Sequence, residues 1–162
     1  MNIDELREHP HLSASSINDF IECGLYFKFG RMDKFCPEYT AATLVFGKCI
    51  HKVLEEFHQA KMNGHPRILD NLLERFEFHW AGSNGQITDM QFKEGEDYSS
   101  LLQKGFDILK VYYEQLPKDC YKVLSTENPF SFQLEGIDIP IIGVMDLIEQ
   151  DESGNLIITD FK

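Results

Sequence analysis

The stretch Ile139-Pro140-Ile141-Ile142-Gly143-Val144-Met145-Asp146-Leu147-Ile148-Glu149-Gln150-Asp151-Glu152-Ser153-Gly154-Asn155-Leu156-Ile157-Ile158-Thr159-Asp160-Phe161-Lys162 decides the fold. Two apolar runs flank the turn-forming series Asp151 to Asn155, so the runs are expected to pair as an antiparallel hairpin. A turn centred on Ser153 places Ile148 opposite Ile158 and Asp146 opposite Asp160. Side chains alternate along a strand, so Lys162 shares the face of Asp160. A slip of one residue would send Asp146 to the other face.

Two carboxylates opposed at about 5 Å on an apolar sheet repel each other and lose hydration, unless something positive sits between them. A divalent cation meets that need, and oxygen ligands suit Mg²⁺ or Mn²⁺. Lys162 would add a point charge able to orient water and offset charge on a reacting phosphate. The competing reading leaves Asp146 and Asp160 as strand ends at a solvated rim and Lys162 as an ordinary exposed residue. Asp-x-Lys alone recurs by chance; the register gives it weight.

Outward from the hairpin, residues 121–127 and 130–134 read as further short strands, β-branched and bounded by turn residues. The part before them, 12–117, reads as mainly helical. Ser13 is a predicted N-cap, with Leu12 placed to staple onto Ile17, for a helix to about Phe29. A second helix covers 44–62, with Asn63-Gly64 as its stop, and a third covers 66–80 with Pro66 in its first turn. Residues 81–97 read as a loop, and Asp97 caps a long amphipathic helix ended by Pro117. The expectation is one α/β domain over 1–162, its helices first (12–117) and its β-meander second (120–162).

The second helix carries Gly47, His51, Glu55 and His58 close to one polar stripe. His51 and His58 stand about 10.5 Å apart along the axis, too far for a shared zinc ion. His51 with ligands from the sheet is geometrically open.

The formal charge of −12 over 162 residues weighs against a nucleic-acid binder without excluding one. Residues 26–35 interleave Lys28, Arg31 and Lys34 with four aromatics, a pattern that could meet phosphates and stack on bases; an amphipathic helix end with solvated cations explains it equally well. The cysteines Cys23, Cys36, Cys49 and Cys120 are scattered and read as buried free thiols. No apolar run is long enough to span a bilayer and no secretory signal opens the chain, so the default expectation is a cytoplasmic protein without a membrane partner.

Taken in order, Leu12-Ser13-Ala14-Ser15-Ser16-Ile17 with Cys23, Gly47-Lys48-Cys49-Ile50-His51, Gly143-Val144-Met145-Asp146 and Asp160-Phe161-Lys162 resemble the RecB-like branch of the PD-(D/E)xK nucleases. The resemblance runs from about Leu12 to Lys162. It implies a restriction-endonuclease-like mixed sheet flanked by helices, and metal-dependent hydrolysis of DNA, often from single-stranded or duplex ends. His51, Asp146 and Asp160 would then be metal ligands, joined by the main-chain carbonyl of Phe161. Lys162 would be the catalytic lysine and Glu127 a supporting group.

RecB-like nucleases usually continue into a helix with a Gln-x-x-x-Tyr motif, so the chain is expected to be C-terminally truncated. Cys23 matches the first cysteine of relatives that hold an iron–sulfur cluster, but Gly24 replaces the usual proline and the three C-terminal cysteines are lacking, so no cluster is expected. Two further expectations stay open: a non-catalytic DNA-binding or subunit-interaction module on a degenerate nuclease fold, and a homodimer through apolar sheet surface left exposed at 155–162.

Overall fold

The computed structural model describes residues 2–66, 68–86, 89–116 and 121–162. Among these residues, six α-helices precede a C-terminal sheet: α1 (Ile3–Arg7), α2 (Ala14–Glu22), α3 (Gly24–Phe27), α4 (Ala42–Met62), α5 (Leu69–Gln86) and α6 (Tyr98–Gln115). The strands are β1 (Thr40–Ala41), β2 (Met90–Gln91), β3 (Lys122–Phe132), β4 (Ile141–Gln150) and β5 (Leu156–Thr159). Strands β3, β4 and β5 form an antiparallel sheet in that order, and β1 pairs in parallel with β2. The α/β class with helices first and sheet second is what the chain adopts. Contacts divide it into two compact units, Met1–Pro37 with Glu127–Met145, and Glu38–Thr126 with Asp146–Lys162.

In the larger unit, α4 packs on α5 and α5 on α6. Helix α4 buries Val45, Cys49, Val53, Leu54 and Phe57 at helical spacing. It stops as a Schellman motif: Gly64, at φ +75°, donates to the Lys61 carbonyl, and His65 donates to that of Ala60. Asp97 caps α6 by accepting from the Ser100 amide at 2.7 Å, while the Ser100 hydroxyl accepts from the Asp97 amide. Leu101, Gly105 and Leu109 form the buried stripe of α6, and Gly105 lets the Phe76 ring of α5 lie against its backbone. Phe76 and Trp80 are wholly buried at the centre.

The hairpin register is as read. Leu147 pairs with Thr159 and Ile148 with Ile158, on to Gln150 with Leu156. Asp151 shapes the turn, accepting from the Asn155 amide at 2.8 Å and from the Gly154 amide at 3.1 Å, with Gly154 at φ +86°. The hydrogen bonds from Asn155 hold the Asp151 carboxyl below its usual range.

Several sequence expectations change. The helix from Ser13 breaks at Cys23, whose backbone is extended (φ −160°); a second short helix follows, then π-type turns over Lys28–Met32. Glycines at 24 and 30 weaken helix continuity there. Cys23 and Cys36 are exposed and only Cys49 is a buried thiol; Cys120 lies outside the described residues. Within 81–97, helix α5 runs on to Gln86 and Met90–Gln91 form a strand, because tertiary packing overrides the poor propensities of Gly82, Ser83 and Asn84. Pro66 precedes α5 instead of opening it. The stop at Pro117 also falls outside the described residues. Segments 121–127 and 130–134 merge into the single strand β3.

Candidate metal centre

Two elements of the larger unit deliver the centre. His51, midway along α4, is half-buried, and Asp146, on β4, is 9% exposed. His51 Nδ1 stands 3.7 Å from Asp146 Oδ2. That is too long for a hydrogen bond, yet it matches the spacing of about 3–4 Å between two atoms that each bind one small divalent ion at about 2.1 Å. An imidazole and a buried carboxylate make a donor set suited to Mn²⁺ or Mg²⁺.

Asp146 Oδ2 also accepts a hydrogen bond from the Phe161 amide at 2.7 Å. It is this N–H, a donor, that meets Asp146. The Phe161 ring packs among helical side chains, its centroid 6.0 Å from the His51 ring in edge contact. One residue thus touches both members of the pair.

Asp160 and Lys162 lie beyond the last ladder pair, Leu147 with Thr159. Their side chains are 57% and 86% exposed and form an ion pair of 2.8 Å. The hydrogen bond to Asp160 raises the Lys162 pKa, with the more distant Asp146 acting in the same direction. The structure therefore brings His51, Asp146 and Phe161 together directly, and sets Asp160 and Lys162 as a solvated pair on the alternate side chains of the same segment.

Glu127 sits on β3 with φ +47°, a left-handed backbone that costs a non-glycine residue about 1 kcal/mol. Such outliers collect where a side chain must be aimed. The preceding residue, Thr126, belongs to the larger unit and accepts from the Gln59 side chain of α4 at 3.2 Å.

The cations of residues 26–35 lie in the smaller unit. Arg31 pairs with Asp19 at 2.7 Å and donates to the Ser15 hydroxyl, Lys28 pairs with Asp33 at 3.4 Å, and Lys34 adopts φ +52°. Arg31, Tyr26, Phe29 and Phe35 line a cavity of about 410 Å³. Leu25, Tyr26, Met32 and Phe35 are exposed there.

Sequence reading missed the hydrogen-bonded pair His58 and Tyr112 behind Phe161. His58, on the stripe with His51, is 1% exposed, and its Nε2 is hydrogen-bonded to the Tyr112 hydroxyl of α6 at 2.6 Å. The spacing of His51 and His58 was the available signal, and it does not reveal which helix faces the stripe.

The sequence profile of the PD-(D/E)XK nuclease superfamily matches residues 11–162. The Gene 69 protein of Mycobacterium phage D29 is 32% identical over 80 residues, which is 49% of this chain and 29% of that protein. The matched part thus spans less than a third of that relative's length. Among the described residues, no helix is long and apolar enough to cross a membrane.

Proposed function

Because this chain belongs to the PD-(D/E)XK nuclease superfamily, we propose that it is a metal-dependent deoxyribonuclease of the RecB-like branch, acting as an exonuclease on single strands or duplex ends. The observation that carries this reading is the approach of His51 to Asp146, with Phe161 of the Asp-x-Lys segment bonded to the same carboxylate. His51 and Asp146 offer ligand atoms for Mg²⁺ or Mn²⁺, and Asp160 and the Phe161 carbonyl complete the set that the resemblance implies, with Glu127 as a supporting group. A divalent ion held there supplies Lewis acidity toward a phosphodiester.

The residues do the rest. Asp146 accepts a hydrogen bond from the Phe161 amide and presents its carboxyl from a largely buried position. Lys162, exposed and paired with a solvated Asp160, can turn its ammonium to a DNA phosphate and stabilise the charge that grows as water adds to phosphorus and the ester P–O bond breaks. Lys28, Arg31 and Lys34, among exposed aromatics, are the proposed DNA contacts; Leu156 and Ile158, exposed on β5, are the proposed surface for pairing two copies. DNA processing in repair, recombination or phage-type metabolism is the setting this chemistry suits.

The test is release of acid-soluble nucleotides from single-stranded and duplex DNA with Mn²⁺ or Mg²⁺, for the unmutated protein, His51→Ala and Lys162→Ala. Activity lost in both variants is the expected result. Equal activity in Lys162→Ala removes that lysine from the mechanism. The net charge of −12 and the Lys162–Asp160 pair favour the second reading, a non-catalytic DNA-binding or subunit-interaction module; DNA bound but left uncut with either metal would establish it.

A further inference from the structure

Phe161 rests in a cradle with three aromatic walls. The His58 ring lies nearly parallel to it at 6.3 Å and 24°, Tyr112 meets it edge-on at 5.8 Å, and His51 does so at 6.0 Å. Two of these walls are joined to each other by the 2.6 Å hydrogen bond between His58 Nε2 and the Tyr112 hydroxyl. An apolar pair could fill this volume without the cost of taking an imidazole and a phenol out of water. What a hydrogen bond adds is direction: it fixes the planes of both rings, and so the seat of the ring they enclose.

The seat matters because of what else Phe161 does. The segment after β5 has left the ladder at Thr159, so no strand pairing sets the place of the Phe161 amide. Its ring contacts and its bond to Asp146 Oδ2 set it instead. The ring also backs the half-buried imidazole of His51. Tilting Phe161 moves both the donor on Asp146 and the wall behind His51.

We propose that His58 and Tyr112 are positioning residues, which orient His51 and Asp146 through Phe161 and so set the affinity of the centre for a divalent ion. The inference rests on the metal-centre reading given above. It assigns the pair a role in site geometry beyond filling the core, and Phe161 is the single part that transmits it.

The test is Tyr112→Phe, which keeps the ring and removes only the hydroxyl, with His58→Leu as a second variant. Mn²⁺ affinity is measured by calorimetry and amide hydrogen exchange at Phe161 by NMR, with α5 amides as the control for global stability. The expected result is Mn²⁺ binding weakened about tenfold, the loss typical when an outer partner of a metal ligand is removed. Exchange at Phe161 should speed up while α5 stays protected. Mn²⁺ binding that is lost in His51→Ala but unchanged in both variants overturns this inference and leaves the metal reading standing. Unaltered Phe161 exchange overturns it as well. No Mn²⁺ binding by the unmutated protein overturns the metal reading itself, and this role with it.

Discussion

The Phe161 amide donates to Asp146 Oδ2 across 2.7 Å, with Asp146 one residue and Phe161 two residues beyond the last β4–β5 ladder pair. The carboxylate is thereby held from the side of the sheet while His51 approaches it from α4. Asp146→Asn removes the charge with little change in volume, and His51→Ala removes the imidazole. Both variants should lose calorimetric Mn²⁺ binding. Retained binding in either would show that the ion, if bound, sits elsewhere.

Gly105 is a packing requirement of the helical unit. A Cβ at this position would fall 2.1 Å from Cε1 of Phe76, and that ring is wholly buried with nowhere to swing. Gly105→Ala should cost about 1–3 kcal/mol, the range for overpacked cores, read by urea unfolding. Combining it with Phe76→Leu should give less than the sum of the two costs, because both changes act on one contact.

Gly154 is required for its backbone alone. Its φ of +86° disfavours any L side chain, while a Cβ there would find only the Gln150 side-chain nitrogen at 3.9 Å, an ordinary contact. Gly154→Ala should therefore destabilise by about 1–2 kcal/mol through strain at the hairpin turn. Urea midpoints check this, and Gly47→Ala in α4, with open space around it, is the reference change.

Glu56 gives the pH prediction. It accepts two hydrogen bonds from Arg75, at 2.8 and 3.0 Å, and lies 3.0 Å from His79 Nε2. Partial burial raises its pKa, but the hydrogen bonds and charges of Arg75 and His79 outweigh that and bring it below the ordinary 4.5. A carboxylate with a depressed folded pKa contributes stability that is complete above the unfolded value and is lost as pH falls through the folded one. Glu56→Gln should thus be less stable than the unmutated protein at neutral pH. The gap should narrow below pH 4.5, seen as converging urea midpoints.

Local chemistry was legible in the sequence and distant pairing was not. Ser13, Asp97 and Gly64 marked helix ends because a cap is set by a few neighbouring residues. The register of Ile148 with Ile158 followed from one turn and from alternation. The parallel pairing of Thr40 with Met90 had no such signal, since neither two-residue strand is long enough to show a period. Its partner residues lie far apart in sequence. The break at Cys23 was hidden because the apolar series continues through it. His58 read as half of a polar stripe; the arrival of α6 gives its buried Nε2 a partner in the Tyr112 hydroxyl. Of the site, Asp146 and His51 were readable from motif order, whereas the part played by the Phe161 amide depends on where the ladder stops.

That stopping point also bears on when the centre can exist during folding. The β4–β5 hairpin is built from neighbours in sequence and can close early and alone, bringing Asp146 but not His51 with it. The Phe161 ring has nothing to lodge in until α4 and α6 have come together around His58 and Tyr112. Assembly of the centre is thereby made a late event, dependent on completed tertiary structure. A partly folded chain holds His51, Asp146 and Phe161 without their native geometry.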